Sequence, residues 1–316
     1  MTDSNPAKQP PASNTTQHAG AEPTSQLGQP NAAANTRRAY ASAQRQLAAW
    51  LNSRPLDDAG LAAYIGHLQT TGRAKATATM AVTAARRAAR DTGQQPPDGP
   101  LTRQALDNFR GTDVDGARRE QTRGLTADEC AAILATCTRR RRSGRGLERK
   151  ETAERRGLVD GAIVGLLFHG ALRRSEVAAL RWGDVDLSDG EDVVVTRRHS
   201  ATRAAGEQPD VRRLVGGCAA AIRRLHAATT PEPADPVIGL SGDQINRGFA
   251  AACAAAGLEG RRTSHGGRVG LAVELTARGA STHAVQLAGG WKTPSMVVRY
   301  AATVATRDGG VSRYLR

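Results

Sequence analysis

Four short stretches of this sequence place reactive side chains where packing alone has little use for them. In HGALRRSE (169–176), Arg173 and Arg174 directly follow an apolar run, and Glu176 lies three residues past Arg173. In TSHGGRVG (263–270), His265 and Arg268 stand three apart with two glycines between them. LAGGWK (287–292) carries Trp291 after a second double glycine, and VVRYAA (297–302) carries Tyr300, one of only four tyrosines in the chain. An Arg at the mouth of a buried segment is costly unless something anionic meets it. A guanidinium fork suits a phosphate, and Glu176 is spaced to orient Arg173; a plain Arg173–Glu176 salt bridge also accounts for that pair. His265 can take or give a proton near neutral pH. The glycines beside it would let backbone approach a ligand closely. The text turns helical at VGLAVELTARG, so His265 and Arg268 fall at a helix N-terminus, a favourable place for an anion. Tyr300 falls on a helix predicted to start near Thr293–Pro294, with Thr as N-cap and Pro at N1.

These residues need a scaffold, and the pattern predicts one. The chain has 316 residues, enough for two domains. Residues 1–34 hold almost no large apolar side chain and read as a disordered tail. Four helical patterns follow within residues 35–122. They start at NTRRAYASAQRQLAAWL, with Asn35 or Thr36 as N-cap, and end at LTRQALDNFRG, capped by Thr102. Thr126 and Glu129 fit a capping box that opens a second domain at about residue 123. That domain, 123–316, has a buried helix in LVDGAIVGLLFHGAL, a helix over 175–181, two short strands in EDVVVTRR and PDVRRLV, and further helices. The fold class is therefore mostly α with a small β-sheet, α+β. The arginine run RRRRSGRGLERK (139–150) reads as a solvated, mobile loop, with contact to a phosphate backbone as the alternative. The four cysteines show no paired spacing and read as small buried residues.

Charge narrows the partner. The net charge is +14, and the only charges in the first 34 residues are Asp3, Lys8 and Glu22, so the excess belongs to the two domains. Such a field favours a polyanion such as nucleic acid. Arg73, Lys75, Arg86 and Arg87, on and before the third helix, are candidate DNA contacts. No stretch is long and apolar enough to span a bilayer, and the N-terminus lacks a secretory pattern, so the expectation is a cytoplasmic, nucleoid-associated protein. No nucleotide-binding glycine–lysine loop or metal-ligand spacing occurs, and no cofactor or metal is expected.

In the order Arg173, His265-x-x-Arg268, Trp291, Tyr300, the sequence resembles the tyrosine recombinases of the phage integrase family, and the likeness extends over residues 35–316. The resemblance implies a helical, DNA-binding core-binding domain over 35–122 and a catalytic domain over 123–316. It implies a site-specific recombinase or integrase acting on double-stranded DNA, with four protomers at synapsis. By the same resemblance Tyr300 is the nucleophile that forms a 3′-phosphotyrosyl link, and Arg173 and Arg268 clamp the non-bridging oxygens. His265 handles the proton, Trp291 bonds and packs at the phosphate, and Glu176 supports Arg173. The chemistry agrees: two guanidinium forks can neutralise charge developing on two phosphate oxygens, and a phenol that ionises near pH ~10 needs a proton acceptor.

One position departs from the family. Its usual hairpin lysine, which protonates the leaving 5′-oxygen, is missing from RRHSATRAAGEQPDVRR (197–213), and no Lys occurs between Lys150 and Lys292. Different gap placements put His199, Ser200 or Ala201 there; His199 could serve as the acid, whereas Arg203 stays charged and is a poor proton donor. Two rival readings follow: a DNA-binding protein on a recombinase scaffold that has lost catalysis, and a type IB topoisomerase-like enzyme.

Overall fold

The computed structural model describes residues 34–110, 123–144, 146–197 and 210–307. The chain divides into two compact units, Met1–Val114 and Asp115–Arg316.

The first unit is four helices: α1 (Ala34–Leu51), α2 (Asp58–Thr70), α3 (Lys75–Asp91) and α4 (Pro100–Asp107). Leu47 and Leu51 of α1, Leu61, Tyr64, Ile65 and Leu68 of α2, and the alanine face of α3 close one apolar core with Phe109. Alanines on α3 keep the crossing with α1 tight, and Gln44 donates to the Ala84 carbonyl across it at 3.0 Å. Helix α1 already begins at Ala34, so Asn35 and Thr36 lie inside it and do not cap it. Thr102 likewise does not cap the fourth helix, which begins two residues earlier at Pro100. The cap comes from far away: the Asp58 carboxylate accepts from the backbone N–H groups of Gly99, Leu101 and Thr102 at 2.8, 3.0 and 2.8 Å. Burial raises the Asp58 pKa, but these donors outweigh it and hold the carboxyl at about 2.

The second unit is built around α6 (Lys150–Phe168), which is buried along its whole last half from Asp160 to Phe168. A helix apolar on every side needs neighbours on every side. They are α5 (Ala127–Thr136), α8 (Gly216–Thr229), α9 (Gly242–Ala255) and α10 (His265–Ala277). The expected Thr126–Glu129 capping box opens α5. All four cysteines are buried, as their Ala-rich settings predict. Short α7 (Arg174–Ala179) follows a sharp corner; it stops two residues before the predicted end at 181, and Leu180 packs inward from beyond it.

The arginine run 139–150, exposed along most of its described length, carries a short hairpin that its composition does not predict. Strands β1 (Arg142–Ser143) and β2 (Gly146–Leu147) pair antiparallel. Arg156 of α6 holds their base, donating to Glu148, Asp160 and the Cys137 and Arg139 carbonyls. Local composition hid this because the anchoring carboxylates and the Arg156 fork come from the edges of the run and the next helix. The small sheet has the order β3 (Val185–Asp186), β4 (Val193–Arg197), β5 (Asp210–Leu214), all antiparallel. Two final helices, α11 (Thr282–Gly289) and α12 (Pro294–Arg307), pack with α10 through Ala272, Val285, Trp291 and Val297. Among the described residues, no helix is long and apolar enough to cross a membrane.

Candidate active site

Six of the sequence-predicted residues, Arg173, Glu176, His265, Arg268, Trp291 and Tyr300, gather in the second unit around α7, α10 and α12. Arg173 is the residue before α7, and Glu176 stands in that helix's first turn. The Glu176 carboxylate accepts from both the Arg173 backbone N–H and its guanidinium, each at 2.8 Å. Burial alone would raise the Glu176 pKa; the Arg173 N–H and the charges of Arg197 and Arg173 outweigh it, so the group is held ionised. The adjacent Arg174 turns elsewhere and pairs with Asp243 at 2.8 Å.

His265 is the first residue of α10 and Arg268 lies in its first turn. Of the two glycines between them, Gly267 has a packing reason. A Cβ at Gly267 would lie 2.7 Å from the Leu167 carbonyl oxygen, so it is glycine that lets α10 cross α6 at this distance. Arg268 is 3% exposed. It donates to the carbonyl of Ala171, a non-glycine residue held at φ 45°, and to the Gly290 carbonyl at 3.5 Å. Its guanidinium lies over the Trp291 ring, 4.6 Å from the centroid. Burial, then the charges of Arg173 and Arg212, push its pKa down to about 10, so it remains a cation at neutral pH.

The AGGW turn has a packing explanation too. Trp291 folds back so closely that a Cβ at Gly289 would fall within 1.8 Å of the indole, and Gly290 ends α11 in the left-handed conformation, φ 58°. The Trp291 indole nitrogen is buried and has no hydrogen-bond partner among the described residues. A buried donor without an acceptor costs about 1–3 kcal/mol, which an anion's oxygen would offset.

Tyr300 comes in from α12, which begins at Pro294 as predicted. Its hydroxyl lies 3.4 Å from His265 Nε2, and the two rings meet edge-on at 5.7 Å. Trp291 flanks the phenol at 6.1 Å. Burial first, then Arg268 and Arg173, depress the His265 pKa, so the imidazole is neutral at neutral pH and can accept the phenol's proton. A cationic pocket, a neutral base and a phenol within reach of it suit nucleophilic attack by Tyr300 on a bound anionic ester.

His199 lies outside the described residues, as do Ser200, Ala201 and Arg203. In the first unit Arg73 and Lys75 are exposed, while Arg86 pairs with Asp98 at 2.5 Å and Arg87 with Asp91 at 3.5 Å. The sequence reading passed over Arg197, Asp210 and Arg212. Arg197 pairs with Glu176 at 2.5 Å, and Asp210 pairs with both arginines. The signal was present in the strand alternation: Arg197 continues the inward Val193–Val195 series, and Arg212 stands two residues before buried Leu214.

Residues 232–307, which include His265, Arg268, Trp291 and Tyr300, match the model of the Phage integrase family. No curated protein matches the sequence. Among solved structures, the fold is similar to that of XerH site-specific recombinase bound to palindromic difH substrate, with a TM-score of 0.60 at 15% identity over 88% of this chain and 79% of that one. It is also similar to the Tn1549 transposon integrase in complex with circular intermediate DNA, with a TM-score of 0.58 at 18% identity, covering 87% and 94% of the two chains. A lambda integrase dimer bound to a COC′ core site gives 0.54 at 18% identity, covering 86% and 89%. The protein thus shares the mostly helical fold of these recombinases and integrases, and its residues 232–307 are similar to the phage integrase family.

Proposed function

We propose that this protein is a site-specific DNA recombinase that cleaves and rejoins strands through a 3′-phosphotyrosyl intermediate. The observation that carries the reading is the approach of the Tyr300 hydroxyl to His265 Nε2 beside the Arg268–Trp291 stack. The Tyr300 oxygen attacks the phosphorus of one phosphodiester and passes its proton to neutral His265. The bond to the 5′-oxygen breaks, and that oxygen leaves as a hydroxyl after taking a proton. Arg173 and Arg268 neutralise the non-bridging oxygens as charge develops, and the Trp291 N–H gives them a further donor. Rejoining is the reverse attack by a 5′-hydroxyl. One phosphoester replaces another, so no nucleotide cofactor is required.

The remaining assignments follow from the same reading. Residues 35–122 would be a DNA-binding domain and 123–316 the catalytic domain. Arg73, Lys75, Arg86 and Arg87 would contact the phosphate backbone, His199 would replace the family's lysine as proton donor, and four protomers would assemble on two duplexes. The +14 charge supports a polyanion partner.

The test is covalent capture. Purified protein is incubated with a library of nicked duplexes and denatured, and the DNA that stays attached is sequenced. The expected result is one enriched site whose adduct disappears in Tyr300→Phe. Specific DNA binding without an adduct would replace this reading with a DNA-binding scaffold. Relaxation of supercoiled DNA without site preference would replace it with a topoisomerase.

A further inference from the structure

Besides the exposed Arg213, strands β4 and β5 carry three charged side chains that the reaction above leaves without a task. Their register pairs Arg197 with Asp210 and Val195 with Arg212. Because a strand alternates its faces, Arg197 and Arg212 share the side that buries Val193, Val195 and Leu214. Arg212 is 3% exposed. An arginine so placed needs a carboxylate, and Asp210 supplies one to it and to Arg197 together.

The ionic chain continues in both directions. Arg197 reaches Glu176 Oε1 at 2.5 Å, and the same oxygen accepts from Arg173 at 2.8 Å. At the other end Arg212 lies beneath the turn before Trp291: a Cβ at Gly290 would fall on its Nη2. The Gly290 carbonyl in turn accepts from Arg268. Charges of alternating sign therefore run from Arg173 through Glu176, Arg197 and Asp210 to Arg212, and backbone completes the path to Arg268.

We propose that this chain sets the spacing of the two phosphate-clamping arginines, with Asp210 as a positioning residue at its centre. The inference rests on the recombinase reading. Stability alone gives little reason for the arrangement, since buried ion pairs commonly do no better than apolar side chains of the same volume. Geometry gives a strong one, since a clamp displaced by about 1 Å can cost ~10²-fold in rate. Asp210 acts through Arg197 and Arg212.

The experiment uses the full-length protein and the duplex recovered by covalent capture. Single-turnover adduct formation and duplex Kd are measured for wild type, Asp210→Asn, Glu176→Gln and the double variant. Asp210→Asn is expected to slow adduct formation by about 10²-fold with Kd within about twofold of wild type. The double variant is expected to be no slower than the slower single, since both break one chain. Cleavage by Asp210→Asn at the wild-type rate would overturn the proposal. So would parallel losses of rate and affinity, or losses that multiply in the double variant. If Asp210→Asn does not fold by circular dichroism, Arg212→Lys keeps the charge while removing the fork, and the same split between rate and Kd is required of it. An active wild type with an unaffected Asp210→Asn removes only this inference, whereas a wild type that forms no adduct on any DNA removes the recombinase reading and this inference with it.

Discussion

The sheath around α6 and the layer formed by α10–α12 share one unit but are built by opposite rules. Around α6, Ile163, Leu166, Leu167, Ile222 and Phe249 are almost completely buried, and the one buried acid of that helix, Asp160, is met by Arg141 and Arg156. In the site layer the buried groups are cations. Arg268 rests on two backbone carbonyls and an indole, with the like charges of Arg173 and Arg212 near enough to depress its pKa. The first region spends its burial on stability. The second holds positive charges together against burial and their mutual repulsion. Backbone strain is in the same place: Ala171, whose carbonyl meets Arg268, is one of the few non-glycine residues with positive φ.

The contrast can be broken by substituting once in each region. Phe249→Ala leaves a cavity in the sheath and is expected to lower unfolding free energy by about 3–5 kcal/mol, while folded protein still forms the covalent adduct. Arg268→Met is expected to reverse this. Adduct formation should fall by about 10²–10³-fold, while stability in denaturant stays the same or rises by about 1–4 kcal/mol, because a buried cation without a contacting carboxylate is removed. A large stability loss in Arg268→Met would show that the site layer is held together by its charges.

A smaller effect should come from pH. The His265 pKa is depressed, so the proton-accepting form persists to lower pH than for an ordinary histidine. Adduct formation should hold constant through neutrality and fall only below the usual histidine range, at most about tenfold per pH unit. An acid limb centred above that range would remove His265 as the base.

The smallest effect concerns the first unit, where a carboxylate and not a cation is held by a helix end. The folded Asp58 pKa lies near 2 against an ordinary 3.8. Its contribution is therefore complete above the ordinary value and lost as pH falls through about 2. Between those limits the melting temperature of wild type should drop more steeply than that of Asp58→Asn. Parallel curves would mean that the α4 cap contributes nothing.

Much of this was readable before the structure. The helices announce themselves through apolar spacing, and Thr126, Glu129 and Pro294 mark helix starts because capping is local chemistry. The reactive residues stood out because arginine, histidine and tyrosine beside apolar or glycine-rich text need a reason. What misled was long range. Thr102 looked like a cap because the true one, Asp58, is 41 residues before the Gly99 amide that it binds. The glycines of HGGR suggested a ligand, yet Gly267 faces Leu167. The hairpin in the arginine run escaped a local reading because Arg156 and Asp160, which hold its base, lie on the following helix.

By itself the sequence determined the long helices and the two longer strands, the positive field, and a short set of candidate reactive residues, since each depends on neighbours within a turn or two or on a sum over the chain. Only the tertiary structure decided that Arg174 turns away to Asp243, that Tyr300 meets His265, and that Asp210 links two buried arginines. Those outcomes depend on the crossing of helices and the register of strands. Both are settled by packing between residues far apart in the chain.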